Sequence, residues 1–426
     1  MDYFQYHNDR LRAEETNLHD IAEAVGTPCF VYSRRTLERH WHAFDRAFGD
    51  YPHNICYAVK ANGNLAILNL LAGLGSGFDI VSGGELKRVI AAGGDPGRTI
   101  FSGVCKLDWE IRDALANGVG CFNIESEGEL EKLSSIAREM GARPRISVRI
   151  NPDVDPRTHP YISTGLRNNK FGLDPQRARE VYHKASADDN VMVHGVACHI
   201  GSQLTELSPY LDALQRVLEF VDGLEAEGIE IHGIDFGGGL GVRYVDEQPP
   251  SPDEYWKAIH ELLRERPRQL PVTIEPGRAI VANAGILLTR VHYLKAGTET
   301  NFCMVDAGMN DLIRPALYQA NQEIVEVDRH GNQPEARYNV VGPVCESSDF
   351  LGKDRDLRVA PGDLLAVRSS GAYSAVMGSN YNARVRPAEV LVDGDRFHVI
   401  RQRETLESLY ANETIPELAT AQTDRA

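Results

Sequence analysis

The stretch NICYAVKANGNLAILNLLAGLGSGFDIVS (54–82) contains one complete unit of the pattern that decides the fold. A run of apolar and β-branched residues is followed by a segment with apolar residues at helical spacing, a glycine, and a second apolar run. A short apolar run without strict alternation is typical of a strand that is buried on both faces, as in a parallel sheet. Glycine is favoured where helices end. The stretch therefore predicts a β-α-β unit.

The same unit recurs until about residue 277, and it gives eight predicted strands. They are NICYAVKA (54–61), GFDIVS (77–82), TIFSG (99–103), CFNIES (121–126), RISVRI (145–150), VMVHGVACHIGS (191–202), EIHGIDFG (230–237) and PVTIEPG (271–277). Eight strands alternating with helices make a closed parallel (β/α)8 barrel of the TIM type. An open doubly wound sheet is the alternative, but the first turn, AVKANGN, lacks the G-x-G-x-x-G of such sheets. We therefore favour the barrel.

Past about residue 280 the helical segments give way to alternating, turn-bounded runs such as AGILLTRVHYLKAG (284–297) and EVLVDGDRFHVIR (389–401). This pattern predicts an antiparallel β domain, barrel-like or sandwich-like. The early run CFVYS (29–33) stands outside the eight strands and could pair with that domain. The predicted organisation is a cofactor-binding barrel over 36–280, a β domain over 1–35 and 281–420, and a disordered tail over 421–426.

Composition excludes several classes of function. The 426 residues include 45 basic and 61 acidic side chains, a formal net charge of −16, without a Lys/Arg block. Such a charge repels nucleic acids and anionic lipids, so neither is expected as a partner. No apolar run approaches the ~20 residues of a membrane span, and no signal-peptide pattern opens the chain. The seven scattered cysteines, never in CxxC, predict reduced thiols in the cytoplasm and neither disulfides nor a metal site.

Polar residues end most of the predicted strands, where a (β/α)8 barrel builds its active site. They are Lys60, Asp79–Ser82, Ser102, Glu125, Arg149, His199–Ser202, Gly237–Gly239 and Glu275–Arg278. A barrel rim is solvated, so one such residue has little weight. Their recurrence around most of the ring predicts a functional site.

Three of these features suit an aromatic phosphate cofactor, although each has a plainer interpretation. Lys60 ends an apolar strand that would desolvate its amine for a Schiff-base role, whereas a lone lysine there is more often simply solvated. The turn DFGGGLG (235–241) offers backbone N–H groups as a phosphate nest, assisted by the Ser202 hydroxyl, or is only a tight turn. His199 suits stacking on a cofactor ring or is a buried histidine.

The segment IEPGR places Glu275 at the end of the eighth strand and Arg278 three residues later. One interpretation is a local salt bridge. The other is a carboxylate that contacts a pyridine nitrogen and an arginine that binds a substrate carboxylate.

The C-terminal region adds further candidates. In GMNDLIRPALY (308–318), Arg314 and Tyr318 are spaced i and i+4 and share a face if the segment is helical. GPVCESSD (342–349) sets Cys345 beside Glu346, and Tyr373 stands in a polar loop. A lone cysteine is more often buried than catalytic, and polar loops often have no function.

Taken together, the motifs resemble the diaminopimelate decarboxylases, pyridoxal-phosphate enzymes of the alanine-racemase-like barrel type. YAVKAN, HIGSQ, DFGGGLG, EPGR, GMNDLIRPALY, GPVCESSDF and GAY…SNYN occur in the order of that family, and HPYISTGLRNNKFGL (159–173) adds to it. The resemblance runs from about residue 20 to about residue 415. It implies pyridoxal 5'-phosphate as cofactor and decarboxylation of meso-2,6-diaminopimelate to L-lysine and CO2.

The resemblance also implies how the cofactor is held. Lys60 would bind it covalently, His199 would stack on its ring, and Glu275 would contact its pyridine nitrogen. The residues implied around the phosphate and the substrate are Ser202, Gly238, Gly239, Gly277 and Arg278. Tyr373 would touch both cofactor and substrate.

For the substrate, the resemblance implies carboxylate binding by three residues, Arg278, Arg314 and Tyr318. Cys345 would reprotonate the product, and Glu346 would recognise the distal amino group. The Cys345–Glu346 segment would enter the partner subunit's active site, which implies an obligate homodimer. The loop GAYSAVMGSNYN departs from the family at 374 and 378, where glycine and serine are commoner.

Two alternatives remain open. A decarboxylase of ornithine, lysine or arginine shares the fold, but it commonly has aspartate where this chain has Glu346, and it needs no Arg314 for a distal carboxylate. A non-catalytic cofactor-binding relative is the second alternative, against which the presence of both Lys60 and Cys345 argues. An alanine racemase is disfavoured, because such an enzyme needs no Cys345–Glu346 motif.

Overall fold

The computed structural model describes residues 2–155, 158–159, 162, 164, 169–329 and 333–417. The predicted tail (421–426) and part of the HPYISTGLRNNKFGL motif lie outside the described residues. The chain begins with a small antiparallel sheet, a helix, a strand and a long helix. These elements are β1 (Phe4–His7), β2 (Arg10–Ala13), β3 (Thr16–Asn17), α1 (Leu18–Val25), β4 (Cys29–Ser33) and α2 (Arg34–Phe48).

Eight parallel strands, β5 to β12, alternate with helices in the next part of the chain. They are β5 (His53–Ala58), α3 (Leu65–Gly73), β6 (Gly77–Ile80), α4 (Gly83–Ala91), β7 (Thr99–Phe101), α5 (Asp108–Ala116), β8 (Cys121–Ile124), α6 (Glu127–Met140), β9 (Arg145–Ile150), α7 (Pro175–Ser186), β10 (Met192–Cys198), α8 (Ser208–Ala226), β11 (Gly233–Asp235), α9 (Pro252–Leu263), β12 (Val272–Ile274) and α10 (Arg278–Val281). Because β12 pairs with β5, the sheet closes into a barrel. The predicted barrel is confirmed and the open sheet is excluded.

Several strands are shorter than the apolar runs that predicted them. The first run extends to residue 61, but β5 ends at Ala58 and Val59–Ala61 form a 3₁₀ turn. Val59 and Ala61 are nevertheless buried and belong to the main apolar core. Because these residues are buried beyond the end of the strand, the apolar run in the sequence is longer than the strand itself. Lys60 therefore lies in the turn that follows the carboxyl end of β5.

The C-terminal part is a mostly antiparallel sheet, as expected. Its elements are β13 (Gly285–Lys295), β14 (Asn301–Val305), α11 (Arg314–Tyr318), β15 (Ile324–Glu326), β16 (Ala336–Val341), β17 (Phe350–Leu357), β18 (Leu364–Val367), β19 (Ala388–Asp393) and β20 (Arg396–Arg401). β4 lies inside this sheet, antiparallel to β13 and parallel to β19. The expected pairing of CFVYS is therefore confirmed. The boundaries at 35/36 and 280/281 stay a prediction.

One strand of this sheet was not predicted. β17, with the sequence FLGKDRDL, lies at the edge of the sheet and pairs with β16. Its charged residues hide the alternation, because an edge strand exposes positions that an inner strand buries. The barrel and the sheet share one apolar core, to which Leu287 of β13 and Val340 of β16 contribute. Among the described residues, no helix has the length and apolarity that a membrane span needs.

Candidate active site

Lys60 lies inside the barrel mouth beside a buried carboxylate. Its Nζ is 2.7 Å from Oδ2 of Asp79, which is fully buried on β6. Burial would lower the pKa of the amine, but the nearby Asp79 and Glu275 outweigh it and raise that pKa above its usual value. The ammonium is thus the main positive charge among several acids.

Those acids are Asp79, Asp235 and Glu275, all buried at the carboxyl ends of β6, β11 and β12. Burial first, and then the charges of Asp235 and Asp79, raise the pKa of Glu275 well above its usual value. Burial likewise raises the pKa of Asp235. The second oxygen of Asp79, Oδ1, is buried without a hydrogen-bond partner among the described residues. This excess of buried negative charge suits a cationic ring beside Lys60.

The glycine turn after β11 approaches neighbouring backbone too closely for side chains. A Cβ added to Gly238 would lie 2.2 Å from the carbonyl oxygen of Glu275. One on Gly239, whose φ is +111°, would lie 2.4 Å from the carbonyl oxygen of Gly201. The described residues provide no hydrogen-bond acceptor for the backbone N–H groups of Gly239 and Gly277. Unused N–H groups in such a turn suit a bound phosphate.

His199 lies against this turn as a neutral ring. Its Nδ1 is 3.2 Å from the backbone N of Gly238, which donates a hydrogen bond to it. Burial, together with the charges of Arg149 and Lys60, lowers the pKa of His199 well below its usual value. A neutral, fixed imidazole fits a role as a flat packing surface better than a role in proton transfer.

Arg278 is buried at the start of α10 with only 4% exposure. Its Nε and Nη2 donate to the hydroxyl of Ser202 at 3.2 and 3.0 Å, and Nη1 donates to the hydroxyl of Tyr244. Its guanidinium lies 4.8 Å from the ring centre of Tyr373. The structure thus brings Ser202 and Tyr373 each into contact with Arg278.

Arg314, at the start of α11, is a second buried guanidinium, with 6% exposure. It lies 5.4 Å from the ring centre of Tyr244 and 5.5 Å from that of Tyr318. Burial, and repulsion by Arg278, lower the pKa of Arg314. Its Nε has no hydrogen-bond partner among the described residues, and neither arginine forms an ion pair there. Two adjacent buried cations without a counter-charge form a site for anions.

Cys345 and Glu346 stand apart from this group. Both are exposed, and their polar contacts within the described part of the chain do not include Lys60, Arg278 or Arg314. The backbone N–H of Cys345 donates to Oδ1 of Asn382 at 2.7 Å, and the hydroxyl of Tyr381 donates to Oε2 of Glu346 at 2.6 Å. One chain alone therefore does not join these two residues to the barrel mouth.

The sequence did not single out Tyr244 or Asn123, whose side-chain amide donates to Oδ2 of Asp235 at 3.1 Å. It noted Asp79 and Asp235 only within strand-end motifs. Asp235 opens the glycine motif, which is the one signal that pointed to it. Tyr244 follows the same turn in an ordinary-looking loop. Its role as the bridge between Arg278 and Arg314 depends on contacts across the fold.

Comparison with known proteins relates both parts of the chain to one group. A family model described as "Pyridoxal-dependent decarboxylase, pyridoxal binding domain" matches residues 34–282. A curated diaminopimelate decarboxylase of Vibrio cholerae serotype O1 is 60% identical over 417 residues, which cover 97% of this chain and 99% of the relative.

Solved structures agree with this relationship. A diaminopimelate decarboxylase from M. jannaschii in co-complex with L-lysine superposes with a TM-score of 0.93 at 38% identity, covering 98% of this chain and 99% of the other. A diaminopimelate decarboxylase from Helicobacter pylori complexed with L-lysine gives 0.90 at 41% identity, covering 93% and 99%. The similarity therefore includes the barrel, the β domain and their arrangement.

A pH effect follows from Glu85, which lines a cavity of 590 Å³ together with Lys60 and Arg88. Burial raises the pKa of Glu85 to about 7; the hydrogen bond from the Val81 N–H opposes this, and Asp79 adds to it. A raised pKa in the folded state stabilises the protein below pH about 4.5, and this contribution is lost as the pH rises to about 7.

We expect the free energy of unfolding to fall between pH 5 and pH 8 by about 2 kcal/mol more in the parent protein than in Glu85→Gln. The amide keeps an acceptor for the Val81 N–H but does not titrate. Urea denaturation of both proteins at the two pH values measures the difference. Equal pH dependence would show that Glu85 titrates normally.

Proposed function

The chain belongs to the diaminopimelate decarboxylases, a family of pyridoxal-dependent decarboxylases, and from this membership we infer that it converts meso-2,6-diaminopimelate to L-lysine and CO2. It is a carboxy-lyase of amino-acid metabolism, and this reaction is the last step of lysine biosynthesis. The observation that carries the choice of substrate is the pair of buried guanidinium groups, Arg278 and Arg314, that no carboxylate of the described chain neutralises.

We propose that pyridoxal 5'-phosphate binds in the barrel mouth. The orphaned oxygen of Asp79, the glycine turn that leaves no room for a Cβ, and the unused N–H groups of Gly239 and Gly277 fit such a group. Lys60 would hold it covalently. When bound, it supplies an electron sink for the charge left by departing CO2.

The remaining cofactor contacts follow from the same geometry. Glu275 would contact the ring nitrogen and keep it protonated. Neutral His199 would pack on the ring face. The phosphate would lie against the glycine turn, with the Ser202 hydroxyl, Gly238 and the Arg278 guanidinium beside it. Tyr373, stacked on Arg278, would close the site toward the substrate.

For the substrate, we propose that Arg278, Arg314 and Tyr318 bind carboxylates. Meso-2,6-diaminopimelate has two of them, and a decarboxylase acts on only one. Because Arg314 is buried, a substrate without the distal carboxylate leaves its charge uncompensated, which disfavours ornithine, lysine and arginine. These basic amino acids remain the alternative substrates, and a non-catalytic role remains the alternative function.

We propose further that the active site is completed in a homodimer. Glu346 would bind the distal ammonium, and the Cys345 thiol would donate the proton to the product, both from the partner subunit. Three observations support this: the two side chains are exposed in one chain, Tyr381 orients Glu346, and exposed apolar residues lie on the same β domain. These apolar residues are Leu317, Val376 and Tyr381.

A cytoplasmic location, and an absence of nucleic-acid and membrane partners, belong to the same proposal. The seven cysteines are free thiols, which supports a reducing compartment. The net charge of −16 disfavours binding to polyanions.

The function is tested by incubating the purified protein with pyridoxal phosphate and meso-2,6-diaminopimelate and measuring L-lysine and CO2. We expect both products in equal amounts, and we expect kcat/KM for L-ornithine or L-lysine to be lower by a factor of about 10² or more, since a buried site rejects substrates that leave its polar groups unpaired. Comparable or preferred turnover of either competitor would contradict the assignment.

The dimer proposal predicts complementation between two impaired variants. Lys60→Ala should lack the visible absorbance of covalently bound cofactor, whereas Cys345→Ala should keep it and turn over slowly. After subunit exchange in an equimolar mixture, half the dimers are mixed and each has one intact site, so about a quarter of the parent activity should return. Activity that stays at the level of the unmixed variants would place Lys60 and Cys345 in the same subunit's site.

A further inference from the structure

The segment that contains Cys345 and Glu346 is a loop with an exposed tip and a buried base. The tip, residues 345–347, is exposed, whereas Val344 and Asp349 on either side of it are only 6% and 4% exposed. Exposed loops are in general more mobile than the elements that they connect. A proton donor, however, acts efficiently only when it is held in a defined position. The contacts at the base of this loop therefore matter for the proposed role of its tip.

The carboxylate of Asp349 closes the base of the loop. Its Oδ2 accepts the backbone N–H of Val344 at 2.6 Å, and its Oδ1 accepts the backbone N–H of Met309 at 2.7 Å. The backbone N–H of Asp349 donates to the carbonyl oxygen of Glu346 at 3.1 Å. Hydrogen bonds from N–H groups to a carboxylate are charge-assisted and stronger than neutral ones. The loop is thus joined across its own base and to the segment that leads to Arg314.

Two glycines make room for this carboxylate, and each begins one of the sequence motifs. A Cβ added to Gly342 would lie 2.6 Å from Oδ2 of Asp349, and one added to Gly308 would lie 3.2 Å from Oδ1. Both backbones therefore approach the same buried side chain. This approach explains why GMNDLIRPALY (308–318) and GPVCESSD (342–349) both begin with glycine.

The tip has two other contacts, and both are exposed in one chain. Oδ1 of Asn382 accepts the backbone N–H of Cys345, and the hydroxyl of Tyr381 donates to Glu346. Water competes for exposed hydrogen bonds, whereas a buried N–H group that loses its acceptor is left unpaired. The buried carboxylate of Asp349 is therefore the stronger anchor of the loop.

We propose that Asp349 is a positioning residue, whose carboxylate fixes the loop so that Cys345 and Glu346 enter the partner subunit's active site in one orientation. This assignment rests on the proposed function, in which the pair acts in that site. Asp349 itself acts through the backbone on both sides of the tip. Because it belongs to the chain that supplies the thiol, its loss should impair the partner's site and not the site of its own chain.

The test uses mixed dimers with one working site, isolated by different affinity tags on the two chains and loaded with cofactor. The thiol chain carries Lys60→Ala and supplies Cys345, and the lysine chain carries Cys345→Ala and supplies Lys60. We expect Asp349→Asn in the thiol chain to lower kcat for meso-2,6-diaminopimelate about tenfold or more. The amide has one acceptor oxygen where the carboxylate has two, so one N–H group loses its partner and the proton donor is displaced.

Asp349→Asn in the lysine chain should leave kcat within about threefold of the mixed dimer without it. In that chain the loop serves the site that already lacks Lys60. A purely structural role, in folding or in dimer association, would lower the activity equally in the two placements. The visible absorbance of the bound cofactor should not change in either, because the barrel of the lysine chain is intact.

Glu14→Gln in the thiol chain is the matched control. Glu14 is likewise a buried carboxylate, 6% exposed, that joins two backbone segments. It accepts the N–H groups of Arg35 at 2.9 Å and of Gly394 at 2.7 Å, outside the loop. This substitution should leave kcat within about threefold of the unsubstituted mixed dimer.

If the thiol chain with Asp349→Asn fails to fold or to form dimers, Gly308→Ala is measured instead. It keeps the charge of Asp349, but its Cβ presses on Oδ1 of Asp349 and on Cδ of Pro343, each 3.2 Å away. We expect kcat to fall about fivefold, again only when the substitution is in the thiol chain.

An unchanged kcat with the measured variant in the thiol chain would overturn the proposal. An equal loss in both placements, or a loss confined to the lysine chain, would also overturn it. Failure of the proposed function gives a different result, because the parent protein would then release no L-lysine and the mixed dimer without further substitution would regain no activity.

Discussion

Two buried guanidinium groups without a counter-charge constrain this protein more than any other feature. Taking an arginine out of water costs several kcal/mol unless an anion compensates it. Arg278 and Arg314 make contacts with hydroxyl groups and aromatic rings, and no carboxylate of the described chain reaches them. They are therefore most stable when a ligand brings the missing negative charges.

The same requirement explains why the site lies between the two parts of the fold. Arg278 begins α10, just after the last barrel strand, and Arg314 begins α11 within the β domain. Tyr244, from the loop that follows the glycine turn, is uncharged and contacts both guanidinium groups. A ligand with two carboxylates fits a junction to which each part contributes one cation. The net charge of −16 is thus opposed locally by these two guanidinium groups.

On the other side of the site the charge is reversed. Asp79 contacts the Lys60 amine, the charge of Glu275 also acts on that amine, and Asp235 is a third buried acid that acts on Glu275. Burial raises the pKa of Asp235 and of Glu275 above their usual values. The site therefore combines buried acids, which suit a protonated ring, with two buried arginines, which suit carboxylates.

The barrel could be predicted from the sequence alone, because strands buried on both faces are encoded as long apolar runs. Such runs can be recognised without knowing which residues are in contact. The sequence was also sufficient for β4, since CFVYS is an inner strand. It missed β17, whose charges suit a sheet edge. It also overlooked Asn123 and Tyr244, whose contacts with Asp235 and Arg278 join residues that are distant in the sequence. The roles of Lys60, Cys345 and Glu346 rest on family resemblance and stay predictions, because Cys345 and Glu346 act, on this account, across a subunit boundary.

The most direct test of this account is the effect of removing the charge of Arg314. Kinetics of Arg314→Gln with meso-2,6-diaminopimelate should show kcat/KM reduced by a factor of about 10² or more, since the distal carboxylate loses its buried partner. The visible absorbance of the bound cofactor should not change. Arg337→Gln, which removes an exposed ion pair with Asp356, is the matched control. A kcat/KM for Arg314→Gln within about threefold of the parent would contradict the claim that this arginine selects the substrate.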